Sequence, residues 1–87
     1  MTETRDIRIK RLSMRSWRRG TREMDLILGG FADTGLAGLD DAAMDAYEAV
    51  LEENDWDLYY WITGARRVPD AHRAMIELLR RQSRIAG

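Results

Sequence analysis

Cysteine is absent from this 87-residue chain, and proline, histidine and lysine occur once each. Without cysteine there is no disulfide framework, no thiolate zinc or iron–sulfur site and no thiol nucleophile. The single imidazole, His72, therefore has no thiol to activate. Ser13, Ser16 and Ser83 stand at no spacing that supplies a base with an orienting group. Long apolar runs are missing too. The longest uncharged stretch, Leu58 to Ala65, is far too short to cross a bilayer, and Met1 to Asp6 contains no apolar secretory leader. Gly29-Gly30 follows a helical pattern and lacks the Lys-Ser/Thr of a phosphate loop. Asp40, Asp41 and Asp45 do not match a calcium loop and read as a solvated acidic helix face. No catalytic residue and no metal ligand is expected, and the chain is expected to be a soluble cytoplasmic protein of a bacterium without membrane insertion.

What is present describes a folded domain. Hydrophobic residues make up 45% and charged residues 33% of the chain. A chain of this length buries only about 60% of its unfolded surface, enough for one core but not for a roomy substrate pocket. One domain over residues 1–87 is expected, ordered from about 5 to 82. The net charge of −1 conceals a segregation. Residues 1–22 are strongly basic, residues 23–57 hold eleven acids and no Lys or Arg, and residues 58–87 are basic again. Either basic helices settle against an acidic middle, or one face is a basic docking surface.

Periodicity predicts an all-α fold, a compact bundle of five short helices. Residues 5–18 put Ile9, Leu12 and Ser16 on one stripe and Arg8, Arg11 and Arg15 on another. After Gly20, a helix opening near Thr21 carries Met24, Ile27, Leu28 and Phe31 on its inner face, and Gly29-Gly30 would let another helix come close. Gly35 and Gly38 mark a turn. Asp40 is the expected N-cap of a third helix reaching about Glu53, with Met44, Tyr47, Val50 and Leu51 inward. Asp55 is expected to cap a short fourth helix that ends at a left-handed Gly64. Pro69 closes a loop, and Asp70 is expected to cap a last helix with Met75, Ile76 and Leu79 inward and His72 at its edge.

The densest unusual stretch is Trp17-Arg18-Arg19-Gly20-Thr21-Arg22-Glu23-Met24-Asp25. As a helix junction it has a bland reading, a glycine stop with an Arg19–Glu23 surface pair worth about 0–1 kcal/mol. Its sharper reading is a contact surface on which Gly20 lets a partner's backbone approach. The stretch resembles the RGxxE segment of the flavoprotein assembly factors called SdhE in bacteria and succinate dehydrogenase assembly factor 2 in mitochondria. The likeness continues through Phe31, Leu39-Asp40-Asp41, Tyr47 to Glu52, Asp55 to Gly64 and Pro69. Trp56 stands where that family usually has proline.

This resemblance implies a protein, itself no enzyme, that binds the flavoprotein subunit of succinate dehydrogenase or fumarate reductase and promotes covalent attachment of its FAD. The cofactor would belong to the partner and not be held tightly by this chain. By the same resemblance Arg18, Arg19, Gly20 and Glu23 would form the partner-binding surface, with Asp25 at its rim, Trp17 as an aromatic anchor and Trp61 in the core. A monomer is expected. The alternatives are a basic-faced nucleic-acid-binding protein, with Arg8, Arg11, Arg15, Arg18 and Arg22 on phosphates, and a homo-oligomer joined through Trp56, Tyr59 and Tyr60. A sequence pI of 5.8 speaks against the first.

Overall fold

Four of the helices begin at a residue whose side-chain oxygen accepts an amide hydrogen three positions on. Thr4 caps Ile7, Thr21 caps Met24, Asp40 caps Ala43 and Asn54 caps Asp57. Each satisfies one of the donors that a helix start leaves without an intrahelical partner. The computed structural model describes residues 3–83, with the side chain of Ser83 excepted. Residues 1–2 and 84–87, over which one domain was also expected, lie outside the described residues.

The helices are α1 (Arg5–Ser16), α2 (Arg22–Gly35), α3 (Asp41–Leu51), α4 (Asp55–Thr63) and α5 (Arg73–Ser83). Short 3-10 turns at Leu36–Gly38 and Asp70–His72 lead out of α2 and into α5. No strand occurs among the described residues, and none of the described helices is long and apolar enough to cross a membrane. The five-helix, all-α expectation holds.

The inward faces merge into one core. Leu12 of α1 meets Met24, Ile27, Leu28 and Phe31 of α2, with Met44, Tyr47 and Val50 of α3, Leu58, Trp61 and Ile62 of α4, and Ile76 and Leu79 of α5. Tyr47 is its largest fully buried side chain. Its hydroxyl lies 2.6 Å from Ser16 Oγ and donates to the Leu28 carbonyl at 3.2 Å, so the one phenol in the core is hydrogen-bonded. Burial pushes the Tyr47 hydroxyl up to about 12.

The charge segregation is resolved by one helix pair. Arg5 reaches Asp41, Arg8 reaches Asp45 and Glu48, Arg11 reaches Glu48, and Arg15 reaches Glu52. The basic stripe of α1 thus runs along the acidic stripe of α3. Arg11 is also paired with Glu3 at 2.8 Å. Hydrogen bonds from Arg11 and Arg8 hold the Glu48 carboxyl below the usual carboxylate range.

Several boundaries differ from expectation for local reasons. α1 ends at Ser16, not Arg18, with Trp17 as its C-cap, whose N–H bonds back to the Met14 and Ser13 carbonyls. α3 stops at Leu51, two residues before Glu53. Asn54, not Asp55, caps α4, because the Asp55 carboxylate is drawn toward Arg19 and Gly20. Asp70 opens a 3-10 turn with no capping bond and pairs with Arg73 instead. Gly64 is left-handed at φ 86°, as expected. Gly29 does admit a close approach, but by the Trp17 indole and not by a helix: a β-carbon there would lie 2.2 Å from the ring.

Candidate docking site

The junction between α1 and α2 is built around one guanidinium. Arg19 leaves the helical path, and its side chain turns inward, with only 11% of it exposed. Nη1 donates to the Leu51 carbonyl at 2.7 Å and Nη2 to the Glu53 carbonyl at 2.5 Å. Those carbonyls belong to the end of α3 and the turn after it, where backbone acceptors lack helical partners and a cation is favoured. Nε donates to Asp55 Oδ1 at 2.7 Å, and the Asp55 side chain is 13% exposed. The Arg19 backbone N–H donates to Asp25 Oδ1 in the first turn of α2. Arg19 therefore pins the α3–α4 corner to the start of α2.

Two of the residues expected on the contact surface make hydrogen bonds within the fold. The side chain of Arg19 is spent inside the fold on Asp55 and two carbonyls, and Asp25 holds the Arg19 backbone. The Arg19–Glu23 helix-face pair does not form, because Arg19 precedes the helix and the half-buried Asp55 offers a better-desolvated partner. Trp17 is 41% exposed and lies against Gly29, with its Nε1 donating to Asp33 at 3.2 Å. Trp61 is in the core as expected. His72, expected at an edge, is buried at 9% exposure because its Nε2 bonds Glu53 at 2.8 Å and its ring packs on Trp61.

What remains outside is Arg18, Gly20 and Glu23, all exposed. Gly20 has an ordinary backbone conformation, and its N–H donates to Asp55 Oδ2 at 2.6 Å. A β-carbon there would come within 3.3 Å of that same oxygen. The notch at Gly20 is open to solvent on one side and floored by the Asp55 carboxylate on the other. Beside it Thr21, Glu23, Asp55, Trp56 and Tyr59 line a recess of about 170 Å³. Arg18 also belongs to a larger open groove, about 580 Å³, along Ile7, Lys10 and Met14 of α1.

Sequence reasoning did not place Asp55, Trp56 and Tyr59 at this surface. They stand more than thirty residues from Gly20, and only packing brings α4 beside the motif. The signal available was Trp56 itself, a large apolar residue at a helix start. Arg8, Arg11 and Arg15, which the nucleic-acid alternative assigned to phosphates, are engaged by Asp45 and Glu48 of α3 and by Glu52 at its C-cap. Asp41 and Asp45 are engaged by Arg5 and Arg8, and no group of potential metal ligands occurs among the described residues.

Comparison with known proteins adds to this picture. A family model described as "Sdh5: Flavinator of succinate dehydrogenase" matches residues 10–83. Curated relatives bear the name "Succinate dehydrogenase assembly factor 2, mitochondrial". That of Mycosarcoma maydis is 41% identical over 68 residues, covering 78% of this chain and 29% of the relative. That of Meyerozyma guilliermondii is 46% identical over 61 residues, covering 70% and 45%. That of Schizosaccharomyces pombe is 38% identical over 68 residues, covering 78% and 49%. The chain matches less than half the length of each of these relatives. All three are fungal and named mitochondrial, which overturns the expectation of a bacterial cytoplasmic protein.

Proposed function

The chain belongs to the Sdh5 family, flavinators of succinate dehydrogenase, and on that footing we propose that it is an assembly factor that binds the dehydrogenase's flavoprotein subunit and promotes covalent attachment of FAD. The cofactor and the residue it is joined to belong to the partner, and this chain acts as a chaperone, not as a catalyst. The reading is supported by a single observation above others: in a segment matching the family's RGxxE pattern, Gly20 and Glu23 are exposed at an open notch while Arg19 is locked inside.

The motif therefore divides its labour. Arg19 and Asp25 hold the junction in shape through Asp55 and the α3–α4 corner. Gly20 presents a place without a side chain where the partner's backbone can approach, and Glu23 offers it a carboxylate acceptor. A rigid, pre-shaped surface of this kind favours one arrangement of the bound subunit's domains at little ordering cost.

The test is to express the cognate flavoprotein with this chain absent, present, or carrying Gly20→Arg, and to measure covalent flavin by in-gel fluorescence. Because the Gly20 backbone is not left-handed, Gly20→Arg is expected to fold while blocking the notch, and flavinylation is expected to fall toward the level without the chain. Equal covalent flavin in all three samples refutes the proposal.

A further inference from the structure

The recess beside Gly20 sets Glu23, which the docking reading gives to the partner, next to two aromatic residues that the reading leaves unused. Its aromatic lining is Trp56, which is 64% exposed, and Tyr59. Its rim is Glu23, whose carboxylate has no ion-pair partner among the described residues. Its floor is Asp55, whose two oxygens already accept from Arg19 and Gly20. A volume of about 170 Å³ suits the end of one long side chain and is too small for a helix or a flavin.

Resting on the docking reading, we propose that this recess receives an arginine side chain of the bound partner, stacked on the Trp56 indole and paired with Glu23. Three chemical arguments select that occupant. Indole is the strongest of the aromatic faces for a cation. An anion would face Glu23 and Asp55, and an apolar group would strip water from Glu23 without giving it a partner. Arginine is preferred to lysine because its planar fork stacks on a ring while donating to a carboxylate. The positive end of α4 does not oppose the cation, since Asp55 and Asp57 occupy its first turn. The fold also makes the same kind of contact within itself: the Arg66 guanidinium lies over the Tyr60 ring at 4.5 Å, and Tyr60 is the ring packed against Trp56.

Two measurements test this separately from the docking reading. In the first, the ¹⁵N-labelled chain is titrated with Nα-acetylarginine amide, with the lysine and norleucine analogues as controls. The Trp56 indole N–H and the Glu23 amide are expected to shift saturably with the arginine probe, less with lysine and not with norleucine, and the shifts vanish in Trp56→Ala. No response, or an equal response to norleucine, overturns the proposal. In the second, binding to the purified flavoprotein subunit is measured for the wild type, Trp56→Ala, Trp56→Phe and Glu23→Gln, each checked for an unchanged melting temperature. Trp56→Ala is expected to weaken binding about ten-fold, Glu23→Gln several-fold, and Trp56→Phe least, since a phenyl ring keeps a cation-accepting face. A wild type that binds while Trp56→Ala binds equally well overturns the arginine recess and leaves the docking reading standing. A wild type that does not bind refutes the docking reading, and the titration alone then decides whether the recess takes a cation.

Discussion

Replacing Arg19 tests whether the motif's arginine is a scaffold residue. In Arg19→Ala the Asp55 carboxylate, 13% exposed, stays in place without its cation, and the Leu51 and Glu53 carbonyls lose their donors. Removing one member of a buried pair costs about 3–5 kcal/mol, because the charge left behind is desolvated and unmatched. Slight exposure of both groups favours the lower end, about 3 kcal/mol. A domain of this size has a total stability on the order of 4–13 kcal/mol, so the loss is a large fraction of it. It corresponds to a fall in melting temperature of roughly 12–24 °C. Thermal unfolding followed by far-ultraviolet circular dichroism reads this directly. Asp55→Asn is expected to be costly in the wild type and much milder beside Arg19→Met, where no guanidinium remains to be stranded. Gly20→Arg and Glu23→Gln, by contrast, are expected to leave melting within a few degrees. If Arg19→Ala melts like the wild type yet fails to bind the flavoprotein, Arg19 is a partner contact and the division of the motif is wrong.

Other consequences follow from the packing. Gly29→Ala gains about 1 kcal/mol of helix propensity but drives its β-carbon into the Trp17 ring; urea unfolding is expected to show net destabilisation in the wild type and a gain of about 0.5–1 kcal/mol in a Trp17→Ala background, whereas the same sign in both refutes the contact. Tyr47 is raised to about 12 in the fold and titrates near 10 when unfolded. Its contribution is therefore intact below pH 10 and lost between 10 and 12, amounting to about 2–3 kcal/mol. Tyr47→Phe is expected to remove that alkaline limb while costing about 1 kcal/mol at pH 7 for its hydrogen bonds to Ser16 and Leu28, as pH-dependent melting can check. Glu48 is depressed by Arg11 and Arg8. The stability it adds is present above about pH 4.5 and is lost as pH falls through its folded value, so Glu48→Gln should flatten the acid limb of the melting profile.

Much of the architecture was legible in the chain because it is local. Helix periodicity, the caps at Asp40 and Gly64, and the inward positions Leu12, Met24, Tyr47, Leu58, Ile76 and Leu79 depend on spacings of three to seven residues. Absences were equally informative, since no fold can supply a thiol that the chain does not contain. The stretch at residues 17–25 stood out by composition alone.

The roles within that motif were another matter. Arg19 and Glu23 look like neighbours along the chain, but Arg19 finds Asp55 thirty-six residues away and leaves Glu23 outside. By charge alone the basic stripe of α1 reads equally as a docking surface, until α3 is seen alongside its arginines. Along the chain Trp56 groups with Tyr59 and Tyr60 as a self-contact, until α4 is laid beside Gly20, where Trp56 lines a recess. Charge pairing and surface recesses depend on distances between segments that only packing sets, whereas periodicity and capping are properties of a few consecutive residues. The chain alone thus decided which helices form and which faces they bury; the tertiary structure decided which charges are consumed internally and which are left to meet another molecule.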